Sequence, residues 1–316
     1  MRILLVNDIQ LNAQNPGKLS LKSFHKWQND RMLKLEDLLD QAQQKHANHV
    51  MLFGTLFGQK IVPEKMVDSF FDVVKAENNV HVYAFCGHEE YRLVSYRNDI
   101  PVNFHIFCLD VSDSKQLNEF SISVDHGTAV IATGTVSGKI NQNDESITID
   151  GKTIPSFEPL GFDDIEGKEF GFMIWDTDKP NNISEVIQNQ KYHYRSDELK
   201  ILPEDRQEDI LEKVNTIIRK ADTDTFLRIT ITGKSAFGVV INADALENKM
   251  MNRVFSLEVY DNSIMDVDAE MFENDISLRS EFVRLALNDE TLSEAERNRL
   301  ISYGWNALSG KEMAEE

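Results

Sequence analysis

The chain has 316 residues, 41% hydrophobic and 27% charged, as a folded globular protein does and a disordered or fibrous one does not. Its 33 basic and 53 acidic residues give a formal charge of −20; phosphates are repelled by such a surface unless the positive charges cluster, so a partner chain is expected to supply most contacts to DNA, although solubility alone selects for the same charge. No run approaches the roughly 18–20 apolar residues of a membrane span.

At the N-terminus a charge arrives too soon for a secretory signal. Cys86 and Cys108 make neither a disulfide framework nor a CxxC pair, so a reducing cytoplasm is expected. Residues 2–6 are an apolar run ended by Asn7-Asp8, read as a buried strand leading into a loop. Asp30 is expected to cap a helix with Met32, Leu33, Leu35, Leu38, Leu39 and Ala42 on one face. His46 and His49 follow that helix and read as surface or packing residues. Residues 50–53 form a second short strand before Gly54-Thr55-Leu56-Phe57-Gly58. Pro63 suits the first turn of a helix carrying Met66, Val67, Phe70, Phe71, Val73 and Val74. Residues 81–85 form a third strand, followed by Cys86-Gly87-His88-Glu89-Glu90 as a loop. This β-α-β-α-β order predicts an α/β domain with its site in the loops at the strand C-termini.

From about residue 103 to 175 the pattern becomes short β-like runs, at 121–124, 129–132, 146–149 and 170–175, with His126-Gly127 as a hairpin turn. With the first half they predict a sheet-on-sheet core flanked by helices. Asp176-Thr177-Asp178-Lys179-Pro180 is a polar breaker that reads as a linker. Beyond it come an edge strand at 192–194, a helix over 204–221, a strand over 226–232, a helix over 243–251 and a strand over 254–260. The 204–221 helix has Ile210, Leu211, Val214, Ile217, Ile218 and Ala221 at helical spacing and acids in its first turn. Two more helices are predicted at 278–287 and 293–308, the second opened by a capping box in Ser293-Glu294-Ala295-Glu296.

The three strand-end loops carry a resemblance. In order and spacing they resemble the SbcD family of calcineurin-like metallophosphoesterases, including YhaO-type and phage-encoded members. The family pattern is D-x-H, then G-D-x-x-D, then G-N-H-D, with two distal histidine segments, the last G-H-x-H. Two divalent ions about 3.5–4 Å apart need a bridging carboxylate with imidazole and amide ligands, which is what that pattern provides. Here Asp8 remains but Gln10 replaces the histidine, Thr55 and Gly58 replace both aspartates, and Gly87 replaces the asparagine beside His88 and Glu89. Gly134-Thr135-Val136-Ser137 stands as a relic of G-H-x-H, or else that segment is deleted. Pro155-Ser156-Phe157-Glu158-Pro159-Leu160-Gly161 and 167–172 resemble the stretch that ends the family's domain.

The resemblance implies a degenerate metallophosphoesterase-like β-sandwich flanked by helices over residues 1–176, a small α+β capping domain over 177–262, and C-terminal helices over 263–316. In the family those helices dock on the coiled coil of an SbcC-like SMC-family ATPase. The docking residues expected here are Phe272, Ile276, Phe282, Val283, Leu300 and Trp305; the competing reading has them pack on their own domain. The chain is then expected to be a non-catalytic SbcD-like subunit, a scaffold or regulator in DNA-end processing, repair or defence against foreign DNA. DNA is reached through the complex, and homodimerisation is open. No cofactor is expected, His88 being a catalytic remnant and Asp8 the position left for any metal. Two alternatives stand: a divergent Mn-dependent exo/endonuclease using Asp8, His88 and Glu89, with Gln10 beside them, and a free-standing binding or inhibitor protein.

Overall fold

The structure is a computed structural model. It describes all residues except 118–119, 134–135, 143–146, 179–182, 188–189, 237–238, 240, 251–252, 268–271, 273–274 and 309–316, and the side chains of 133, 136, 137, 142, 183–186, 294, 295 and 306 also lie outside the description. The class is mixed α/β, and the chain divides into two compact units, Met1–Lys191 and Tyr192–Glu316.

The first unit opens by alternating strand and helix: β1 (Arg2–Asn7), α1 (Leu21–Gln44), β2 (His49–Phe53), α2 (Glu64–Ala76), β3 (His81–Cys86), α3 (His88–Ser95) and β4 (Phe104–Cys108). A meander follows, β5 (Asp113–Gln116), β6 (Ser121–Asp125), β7 (Thr128–Thr133), β8 (Val136–Gln142), β9 (Ile147–Ile149) and β10 (Lys152–Thr153). Then β11 (Phe172–Asp176) and β12 (Ile183–Ile187) return to the first sheet, whose order is β12-β11-β1-β2-β3-β4. Its strands β1 to β4 are parallel, while β11 pairs antiparallel with β1. The second sheet, β10-β9-β8-β7-β6-β5, is antiparallel throughout. Because β12 joins the first sheet, the first unit runs past residues 176–180 to Lys191.

Side-chain alternation along the strands separates two cores. Leu4, Val6, Val50, Leu52, Val82 and Ala84 face α1 and α2, where Leu35, Leu39, Phe70 and Phe71 cover them. Ile3, Leu5, Met51, Phe53, Tyr83 and Phe85 face the second sheet and meet Ile122, Ile131, Ile140 and Ile149. The sheets approach so closely that a Cβ on Gly138 would lie 2.7 Å from the Trp175 ring. The result is helix layer, parallel sheet, antiparallel sheet.

Two local expectations need correction, and one strand went unforeseen. Asp30 does not start a helix: Ser20 does, its hydroxyl accepting the Ser23 N–H at 3.2 Å, and Asp30 lies buried inside α1, paired with Lys191 Nζ at 2.9 Å. The stretch after β3 is not a loop but α3, with Gly87 as N-cap. Strand β5, fully exposed as Asp-Ser-Lys-Gln, has no apolar pattern to reveal it. The turn at His126-Gly127 is as expected: both have positive φ, 38° and 79°, which gives a two-residue hairpin its twist.

The second unit has β13 (His193–Ile201), α4 (Gln207–Ile218), β14 (Thr225–Ser235), α5 (Ala243–Met250), β15 (Ser256–Asp261), β16 (Ile264–Met265), α6 (Leu278–Leu287) and α7 (Glu294–Leu308). Strands β13, β14 and β15 are parallel, and α4 and α5 bury Ile210, Val214, Ile218, Leu246 and Met250 with them. The capping box forms: Ser293 N–H donates to Glu296 Oε2 at 2.8 Å, and Glu296 N–H to Ser293 Oγ at 3.4 Å.

Candidate functional site

Loops 8–12 and 54–58 and the start of α3 at 87–90 all leave the C-terminal ends of β1, β2 and β3, the usual ligand end of an open parallel sheet. Pairing does not stop where the strands do. The N–H groups of Gln10, Leu11 and Asn12 donate to the carbonyls of Thr55, Leu56 and Phe57 at 3.1, 2.9 and 2.8 Å. From the other side, Phe157 N–H donates to the Asn7 carbonyl at 2.8 Å. Asp8 and Gln10 hold left-handed backbone angles, φ 51° and 39°, which non-glycine residues adopt only where surrounding bonds impose them.

Asp8 and Thr55 do come together: Asp8 Oδ1 accepts the Thr55 N–H at 2.9 Å, and the Thr55 hydroxyl also donates to the carboxylate. Burial pushes the Asp8 carboxyl above the ordinary carboxylate range, opposed by that N–H and by Lys168. Gly54 lets the loop pass over this carboxylate. With φ +72°, a Cβ there would lie 2.4 Å from Asp8 Oδ1 and 2.5 Å from Asn7 Oδ1. Gln10 and Gly58 are also neighbours, a Cβ on Gly58 falling 2.9 Å from Gln10 Oε1.

The acid that organises the middle loop is Glu90. Its Oε2 accepts the Leu56 N–H at 2.8 Å, while Oε1 accepts those of Phe57 at 2.8 Å and Gly58 at 3.4 Å. Burial raises its carboxyl, and the three amides pull it back. Glu89, the acid the sequence pattern pointed to, is exposed, as is His88, whose backbone N–H is held by Asp110 Oδ2 at 2.6 Å. The helical period of α3 is the signal that separates the two acids, since Glu90 shares a face with buried Val94 four residues on.

Behind the first loop lies a buried ionic group that sequence reasoning missed. Arg31, fully buried, donates from Nη2 to the Ile9 carbonyl at 2.7 Å and from Nε to that of Gln10 at 3.2 Å. Glu158 Oε1 accepts from Lys34 Nζ at 2.8 Å and from the Lys191 N–H at 3.1 Å, and Arg31 Nη1 stands 3.9 Å from Oε2. Burial lowers the Lys34 ammonium, and Glu158 raises it.

The donors do not fit a pair of divalent ions. Thr55 offers only a neutral hydroxyl between the strand ends, and Asp8 and Glu90 are engaged by amides. Among the described residues no three His, Cys, Asp or Glu side chains are grouped to hold a metal. Gly134 and Thr135 of the expected relic lie outside the described residues; Val136 and Ser137 begin β8.

In the second unit, Phe272 and Val283 are buried with Ala286 and Ile301, and Phe282 and Trp305 pack against them. Ile276 and Leu300 are exposed, at 97% and 40%, together with Leu278 and Leu285.

No family model matches the chain, and no curated protein matches it. No helix among the described residues is long and apolar enough to cross a membrane.

Proposed function

We propose that the chain is a non-catalytic SbcD-like subunit, a scaffold or regulator for an SbcC-like ATPase that processes DNA ends. The reading carries with it a metallophosphoesterase-like sandwich, supported by the layering of helices on a parallel sheet on an antiparallel sheet, with loops gathered at the parallel strand ends. One observation supports it most: at the bridging position stands Thr55, whose N–H holds the retained acid of the first loop, Asp8. Two dications about 4 Å apart repel strongly, and a neutral hydroxyl cannot offset that as a shared carboxylate does. Once tied to an amide, Asp8 serves the loop rather than a metal.

The docking half of the reading rests on Ile276, Leu278, Leu285 and Leu300, apolar residues around α6 and α7 that remain exposed. A neighbouring coiled coil would cover such a face with its own apolar stripe. Phe272 and Val283 then act as the support beneath it, not as contacts. With a charge of −20, this subunit would leave most phosphate contacts to its partner.

The test is co-purification with an SbcC-type ATPase, followed by deletion of residues 270–316. Association that survives the deletion, or the lack of any large ATPase partner, would remove the docking reading. Manganese-dependent DNA cleavage that disappears in Asp8→Ala would replace the non-catalytic reading with a nuclease.

A further inference from the structure

At the N-terminal ends of β2, β3 and β4, the end of the sheet opposite the loops, lies a cavity of about 230 Å³. Its polar lining is Asn48, His49, Asn79, His81, Tyr83 and His105, and Phe120 closes it from the second sheet. Strand register assembles the group. His49 lies opposite His81, and Tyr83 opposite His105, so period-two alternation turns all four toward the second sheet. The three imidazoles form a row, with ring centroids 5.8 Å apart from His49 to His81 and 6.1 Å from His81 to His105. Lys115 Nζ donates to His105 Nδ1 at 2.9 Å, and Tyr83 Oη lies 3.3 Å from His49 Nδ1. His81 Nδ1 is buried with no hydrogen-bond partner.

The charge here runs against that of the chain. Among the described residues no carboxylate lines the cavity, while three imidazoles line it and Lys115 bonds to one of them from the surface. Glu77, near in sequence to Asn79, is engaged with Asp40 on α1; Glu119 lies outside the described residues. The groups that act on His105 are Lys115 from β5, His81 from β3 and His49 from β2, all basic. Together with burial, the largest cause, they hold its imidazole down to about 4.

We propose that this cavity is a binding site for a small oxyanion of the phosphate class, held by His49, His81, His105 and Lys115. The inference does not depend on the reading of the opposite sheet end. An anion beside Lys115 and His105 offsets the burial and the lysine charge that keep the His105 imidazole neutral, so binding is coupled to proton uptake and tightens as the pH falls. The volume exceeds that of the bare ion, so either the free ion or the phosphoryl group of a small monoester fits this chemistry.

The experiment is histidine imidazole NMR on the full chain, titrated with inorganic phosphate and, in a second arm, with glycerol phosphate. The expected result is saturable shifts of His49, His81 and His105 together, with affinity up to about tenfold greater near pH 6 than near pH 7, as uptake of one proton requires. His81→Gln and, as a surface variant that leaves the core intact, Lys115→Gln should each weaken binding at least about fivefold, the loss of a charge-assisted or buried hydrogen bond. His126→Gln, in the hairpin turn, should leave it unchanged. Saturation by phosphate alone identifies the free ion; saturation by both identifies a phosphoryl group. Shifts that do not saturate, that persist undiminished in Lys115→Gln, or that strengthen as pH rises would overturn the proposal.

Discussion

The two ends of the parallel sheet use polar residues in opposite ways. At the C-terminal end, Asp8 and Glu90 accept backbone N–H groups from residues 55 to 58, and their buried carboxyls are raised. At the N-terminal end, three histidines line a cavity, Lys115 bonds to one of them, and His81 Nδ1 is left unmatched. Topology marks the first end as the place for ligands. One unmatched buried nitrogen, His81 Nδ1, sets the second apart. The difference teaches that a polar side chain at a strand end is evidence of a site only when its donors and acceptors are not already spent on the fold.

Breaking the comparison begins with the group that supports the first loop. Glu158→Ala leaves Lys34 and Arg31 buried without their carboxylate, and a loss of about 3–5 kcal/mol in denaturant unfolding is expected. Next is Gly54→Ala, which sets a methyl group against two carboxylate and amide oxygens at a positive φ; the expected loss is about 3 kcal/mol. Gly151→Ala is its control, with φ +81° and nothing within 4 Å, and should cost about 1–2 kcal/mol from backbone strain alone. Glu90→Ala should cost about 2 kcal/mol through the amides it strands, and Glu90→Gln roughly half of that, since only one oxygen remains to accept.

The smallest effect sharpens the contrast by pH. His105 falls from 6.5 in the unfolded chain to about 4 when folded, so the unfolded state binds more protons in that window. Stability is therefore full above 6.5 and declines as pH falls toward 4, by about 1 kcal/mol once solvent screening of a partly exposed ring is allowed for. Asp8 and Glu90 act with the opposite sign: raised carboxyls bind protons more readily when folded, so acidification relieves that end. Thermal unfolding of His105→Gln across the same pH range should lack the decline.

Much of this frame was legible in the chain. The apolar runs of β1, β2 and β3 announced a parallel sheet, and Leu278–Leu287 and the Ser293–Glu296 box fixed the terminal helices. What was not legible depends on long-range pairing. Arg31 and Lys34 sit on α1 as ordinary helical cations, and only folding brings Glu158 to them from over 120 residues away. The first ten residues of α1, Leu-Lys-Ser-Phe-His-Lys-Trp-Gln-Asn-Asp, carry too few apolar positions to betray a helix. His49, His81 and His105 are scattered singly in sequence, and a period-two face becomes a cluster only through strand register. A motif counts positions and so points to Glu89, whereas the helix at His88–Ser95 decides which acid turns inward and selects Glu90.

The most direct measurement is anomalous scattering from crystals soaked in manganese, read at Asp8, Thr55 and His88. On the proposed reading, in which Thr55 stands where a bridging carboxylate would, the expected map holds no pair of ions at these strand ends. Two well-occupied manganese peaks about 4 Å apart beside Asp8 would contradict that result and return the site to metal-dependent chemistry.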